Sequence, residues 1–273
     1  MPRKLFCEIS PLTYKISVFK CRCIRNLKNL LHIKEFAKTK QQEPLPVVVY
    51  KHNSLIRRKL GNTQLELQED KAVNLRLSTP KVNGILIRPG ETFSFWYLVG
   101  NPSATKGYKE GVTLFKNGVK AGIGGGLCQF TNLIHWMVLH TPLTVVEHHH
   151  HDGIDLFPDY DRQVPFGTGT SILYNYLDYR FKNETDVTYQ LIVYVTKTHL
   201  CGELRASENL PVKYHIKTEN EHFVRADDIV YRKGKVYRIC IDKTTGNELS
   251  KELIRDNHAK VLYDTSNLVI EQQ

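Results

Sequence analysis

The segment Gly122-Ile-Gly-Gly-Gly-Leu-Cys-Gln129 constrains this chain more than any other. Three glycines in series, Gly124, Gly125 and Gly126, are costly inside a helix or a strand and well suited to a sharp turn or a close backbone approach. The run that follows, Gln129 to His140, carries Phe130, Leu133, Ile134, Trp136, Met137 and Val138 and is apolar on most faces. It is therefore expected to be a buried helix, with Pro142 just past its end. Cys128 then falls at the helix start, where the field of the backbone favours thiolate. A glycine loop feeding such a cysteine would place backbone N–H donors from Gly126 to Gln129 beside a nucleophile, with Gly124 and Gly125 as further expected substrate-binding positions. The same pattern also suits a tight turn before a buried, inert cysteine.

Leu143 to Val146 is expected to form a short β-branched strand, running directly into Glu147-His-His-His-His-Asp152. A cysteine at a helix start followed by a strand ending in histidine is an order compatible with a Cys–His dyad. An internal His run also suggests a metal tract. On a strand, alternate side chains face opposite ways, so at most two histidines would converge on one ion. No Cys-x-x-Cys pair adds ligands, so no metal and no cofactor are expected. In the loop beyond, Phe157-Pro-Asp-Tyr-Asp161 with Arg162, Asp159 or Asp155 is placed to orient a histidine and Arg162 to meet a substrate. Plain solvated loop positions are the more common outcome for such aspartates.

These motifs resemble the vancomycin-resistance protein W (VanW) family. The matching residues are Arg88-Pro-Gly-Glu-Thr-Phe-Ser-Phe95, Val99-Gly100, Lys106-Gly-Tyr-Lys-Glu-Gly111, Ala121 to Gln129, Val145-Val-Glu147 with the His run, and Asp178-Tyr-Arg-Phe-Lys-Asn183. They occur in order over residues 81–205. The resemblance implies a role around peptidoglycan, with a peptidoglycan peptide or precursor as partner. It also implies that Cys128 corresponds to the cysteine some multidomain relatives use as L,D-transpeptidases. The histidine after the Val-Val-Glu strand then corresponds to His151, with His150 its neighbour. Histidines at 148 and 149 depart from the family pattern.

Charge is concentrated at one end. Residues 1–60 hold 14 Lys and Arg against 3 Asp and Glu; the remainder holds 24 against 25. Between Leu12 and Phe36, apolar residues at 12, 16, 19, 23, 27, 30 and 33 follow helical spacing, with basic residues around them. Such a helix either lies on an anionic membrane surface or packs on the body of the protein. No finger or basic aromatic sheet motif points to nucleic acid. Six scattered cysteines suit free thiols in a reducing compartment. No apolar run reaches the length of a membrane span and no secretory signal is visible, so a cytoplasmic or inner-face peripheral location is expected.

The expected organisation is a basic helical arm over 1–45, a motif-bearing core over 46–205 and a β-rich extension over 206–273. Arg88 to Glu91 is expected as a type II turn before a strand over Thr92 to Tyr97. Val230 to Cys240 is expected as a hairpin turning at Lys233-Gly234, with a further turn at Lys243 to Asn247. The class is α+β, with mixed, largely antiparallel sheets. Three functions remain open: Cys-dependent acyl transfer on peptidoglycan peptides, a Cys–His amidase or peptidase, and a non-catalytic protein that cradles a cell-wall precursor or partner.

Overall fold

The computed structural model describes residues 5–57, 65–115, 118–150, 153–156, 158–159 and 163–272. In chain order the elements are α1 (Pro11–Leu31), β1 (Val47–Leu55), α2 (Leu65–Val82), β2 (Ile85–Ile87), β3 (Thr92–Ser94), α3 (Phe95–Val99), β4 (Glu110–Phe115), β5 (Gly118–Ile123) and α4 (Cys128–Val138). They continue as β6 (Thr144–Glu147), β7 (Ile154–Asp155), β8 (Arg180–Lys182), β9 (Tyr189–Val195), β10 (His199–Ala206), β11 (Val212–Ala226), β12 (Ile229–Asp242), β13 (Glu248–Val261) and β14 (Ile270–Gln272). The fold is α+β, as expected. Among the described residues the strands form sheets ordered β1-β10-β9-β2, β14-β11-β12-β13-β7 and β3-β8-β6, with the β4-β5 ribbon apart. Most pairings are antiparallel; β14 on β11 and β7 on β13 are parallel.

The core lies between α4, α2 and the sheet led by β9 and β10. Phe130, Leu133, Ile134 and Met137 of α4 are buried with Leu191, Val193 and Leu204 of that sheet. Gly202 on β10 lets this contact close: a Cβ there would meet Met137 Cε at 2.6 Å. Two separated sequence motifs meet in the small sheet. β3 pairs with β8, and Phe93 stacks on Phe181 at 4.7 Å. Asp178 ties this junction together, accepting from Ser94 Oγ at 2.5 Å, Trp96 N–H at 3.0 Å and Arg180 Nε at 2.7 Å.

Two local expectations are corrected. The strand expected over Thr92 to Tyr97 stops at Ser94, whose side chain caps α3 by accepting from the Tyr97 N–H. The caps and Asp178 outweigh the β propensity of the aromatic run. Lys233-Gly234 is not a turn but lies inside the continuous β12; the chain reverses at Asp227 and Asp228, both at positive φ. Aspartate tolerates that region better than most residues. The turns at Arg88–Glu91 and after Asp242 form as expected, with Gly90 at φ 79° and Thr244 and Thr245 N–H on Asp242 Oδ1.

α1 docks on the body by its polar side. Arg25 makes a two-pronged ion pair with Glu147 at 2.6 and 2.7 Å, and Asn29 accepts from Arg180 at 2.7 Å. Asn26 accepts from Asn175 at 2.5 Å, and Arg22 lies over the Tyr174 ring. No residue of α1 is buried, and its apolar stripe faces outward. The core-packing alternative for this helix is therefore inverted: the body holds its charges and amides, not its leucines.

Candidate active site

The glycine loop is squeezed between two neighbours. A Cβ on Gly125 would lie 2.1 Å from the Gly111 carbonyl on β4, and one on Gly126 would lie 2.2 Å from Lys71 Cγ on α2. Gly124 and Gly126 also take φ 76° and 86°. Gly125 is thus demanded by backbone proximity, and Gly124 and Gly126 by their left-handed φ and the side chains packed on them. Asn74 of α2, fully buried, clamps the loop: its Nδ2 donates to Gly125 O at 2.9 Å and Lys109 O at 3.0 Å, and its Oδ1 accepts from Lys109 N–H at 2.8 Å.

This arrangement consumes donors expected to serve a ligand. The N–H of Gly124 goes to Lys109 O, of Gly125 to Gly122 O, of Gly126 to Val112 O and of Gln129 to Gly126 O. The Gln129 side-chain amide donates to Ser54 Oγ and Leu55 O, bracing β1. Among the described residues, the loop N–H groups of Leu127 and Cys128 take no backbone carbonyl.

Cys128 opens α4 and is half-buried. Its thiol is pushed above the ordinary value of 9.0 by burial, against the lowering effect of the Ile172 N–H on sulfur. The thiolate expected from a helix-start position is thus outweighed by desolvation. Ile172 reaches the sulfur because its segment is pinned to the helix. Thr170 N–H donates to Asn132 Oδ1 at 2.6 Å, the Thr170 hydroxyl meets Thr131 Oγ1, and Thr131 Oγ1 donates to Cys128 O at 3.1 Å.

The same segment is bonded to the histidine run. His148 Nε2–H donates to Gly169 O at 3.1 Å, and Ser171 N–H donates to His149 O at 2.6 Å. His150 lines the cleft that also exposes Cys128 and Asn132. His151 and Arg162 lie outside the described residues. Behind His150 the rings continue inward: His148 is 4.0 Å from His150 and 4.1 Å from His135, and His135 Nδ1 meets the Tyr179 hydroxyl at 3.0 Å. Burial depresses His148 from 6.5 to about 3 and His135 well below its usual value. His148 and His135 are therefore neutral at rest. His149 turns away, donating to Glu147 Oε1 at 3.0 Å.

The cleft has a volume of about 1000 Å³. One wall is α4 with β1; the other is the C-terminal sheet, presenting Arg255, Asn257 and His258. Asp155 and Asp159, expected as histidine orienters, hold this sheet in place. Arg232 of β12 is almost fully buried, contacts Asp155 at 3.2 Å and also pairs with Asp159 and Glu221. The Arg232 guanidinium, stacked 4.5 Å over the Phe166 ring, is the natural sink for both carboxylates. Among the described residues no group of three or more His, Cys, Asp and Glu is arranged to hold a metal ion.

Sequence reading did not single out Asn74, Asn132, His135, Arg232 or the Ile172 N–H. Asn132 and His135 had a signal: Asn132 stands one turn past Cys128, and His135 is a lone ionisable residue in an apolar helix. The others depend on elements distant in sequence and carried none.

Residues 70–205 match the family model described as VanW like protein. The chain is 31% identical over 228 residues to the Vancomycin B-type resistance protein VanW of Enterococcus faecalis (strain ATCC 700802 / V583), covering 84% of this chain and 82% of that protein. It is 30% identical over 114 residues to the Uncharacterized protein YoaR of Bacillus subtilis (strain 168), covering 41% of this chain and 35% of that protein. No solved structure matches. The matched region contains the glycine loop, Cys128, the His run and the Asp178 junction, and on this ground the chain belongs to the VanW family.

Proposed function

We propose that the cleft binds a peptide of the peptidoglycan type and that Cys128 exchanges its acyl group. One observation carries the reading: a cysteine at a helix start, with its own N–H and that of Ile172 acting on its sulfur, lines a large cleft together with a histidine. In this scheme Cys128 Sγ attacks the peptide carbonyl carbon, forming a thioester as the amide C–N bond breaks. The thiol proton passes through His150 or His151 to the leaving amine. The N–H groups of Leu127 and Cys128 stabilise the tetrahedral oxyanion. An acceptor amine or water then attacks the thioester and restores the thiol. The E. faecalis relative is named for vancomycin B-type resistance, and that name supports looking for the ligand in the cell wall.

A second reading has its own support. The protonated thiol suits a cleft that binds a cell-wall precursor without turning it over. Intact-mass measurement after adding muropeptides separates the two. A Cys128-dependent mass increase equal to an acyl group, absent in Cys128→Ser, is expected for acyl transfer. Tight muropeptide binding retained in Cys128→Ser, with no adduct on the unaltered protein, would leave the cradle.

A further inference from the structure

We propose that α1 is an interfacial helix that lies flat on an anionic lipid bilayer and fixes the body of the protein against it. A surface helix ordinarily turns its apolar stripe inward. Here the inward side carries Arg22, Arg25 and Asn29, fastened to Tyr174, Glu147 and Arg180. The stripe Leu12, Ile16, Phe19, Cys23, Leu27 and Leu30 points away. Phe19 is 70% exposed, and Leu12, Leu27 and Leu30 are each more than 60% exposed. The preceding turn adds Leu5, Phe6 and Ile9, all exposed.

The Arg25–Glu147 ion pair and the amide contacts that hold the polar side in place oppose rolling of the helix to bury this stripe on its own body. What covers the stripe must be apolar, and its rim selects the sign of charge. At helical pitch Lys15 and Lys20 flank the stripe on either side, and Lys28 and Lys34 are exposed toward its far end. Among the described residues no carboxylate pairs with any of the four. In residues 5–34 the one acid is Glu8. An apolar strip with a basic rim matches the boundary between acyl chains and anionic headgroups. Among the described residues no helix is long and apolar enough to cross a membrane, so α1 lies in the surface plane, about 30 Å long.

The attachment to Glu147 gives the docking a direction. Glu147 ends β6 and immediately precedes the His run, so the bilayer, α1 and the strand feeding the cleft form one rigid series.

The test uses the full chain and co-sedimentation with vesicles of phosphatidylcholine mixed with phosphatidylglycerol, against phosphatidylcholine alone. Binding to the anionic vesicles, weakened by salt, is expected. Phe19→Gln with Leu27→Gln should lower partitioning by more than about tenfold, from the apolar area no longer buried. Lys15→Gln, Lys20→Gln and Lys28→Gln should each lower it about fivefold and together remove most of the salt dependence. All five positions are exposed, and circular dichroism checks that the fold is kept. No binding at low salt, or undiminished binding by the Phe19/Leu27 variant, overturns the proposal. Loss of a dimer in that variant, with no vesicle binding by the parent, would assign the stripe to a second copy instead. Vesicle binding is read without substrate, so its failure is distinct from failure of the Cys128 chemistry.

Discussion

Cys128 shows how two local fields compete at one atom. Its helix-start position and the Ile172 N–H favour thiolate, while burial favours the thiol, and burial wins in the resting protein. The consequence is measurable. Below the raised value the thiolate fraction increases about tenfold per pH unit, and this increase should continue past pH 9, where an ordinary cysteine is levelling off. Alkylation of Cys128 by iodoacetamide, followed by peptide mass spectrometry, should therefore be slow at neutral pH and still accelerating above pH 9. A rate that is already flat by pH 8 would mean that the thiol is activated without substrate. The glycines before it belong to a different category: each is required by the approach of Gly111 or Lys71 or by its own φ. Their regularity in sequence records packing as much as chemistry.

At the scale of the element, α1 and β6 are joined through a single carboxylate. Burial alone would raise Glu147, but Arg25, His149 and the Asp178 N–H bring it from 4.5 down to about 2. A folded value below the unfolded one means that the stabilisation is complete above about pH 4.5. It is lost as pH falls toward 2. Arg25→Ala removes the two-pronged partner from a group only 15% exposed, and should cost about 2 kcal/mol. The cost should be local to the arm. Limited proteolysis within residues 32–46 should quicken, while the unfolding of the body, followed by near-ultraviolet dichroism of Trp96 and Trp136, should change little. An unchanged cleavage rate would show that the remaining amide contacts suffice to hold α1.

The whole molecule carries a related pH signature. His148 is depressed to about 3 and His140 to about 4, both chiefly by burial, and His135 lies well below 6.5 for the same reason. Between those values and 6.5 the unfolded chain binds protons that the folded one does not. Stability should therefore be level above about pH 7 and fall as pH drops below about 6.5, by up to ~1.4 kcal/mol per pH unit for each histidine. Thermal unfolding across pH 4.5 to 8 checks this, and His148→Asn should flatten the slope by one histidine's share. The same folding that buries these rings builds the cleft. Arg232 draws Asp155, Asp159 and Glu221 together, and Asn257 donates to Phe166 O at 3.0 Å, so the C-terminal sheet becomes a fixed wall.

What the sequence determined by itself was local. The glycine triplet, Pro142, β-branched alternation over Tyr189–Val195 and the apolar run after Cys128 act through backbone sterics and periodicity, and the expected turn, strand and buried helix follow from them. Helical spacing likewise revealed α1, and the order of motifs revealed the family. Which side of α1 faces in was decided by Glu147, Asn175 and Arg180, more than a hundred residues away in the chain. The protonation of Cys128, the sink for Asp159 and the commitment of the glycine N–H groups were decided in the same manner. Each depends on desolvation and on partners that only the assembled sheets bring within hydrogen-bond reach, and neither is encoded in a residue's neighbours along the chain.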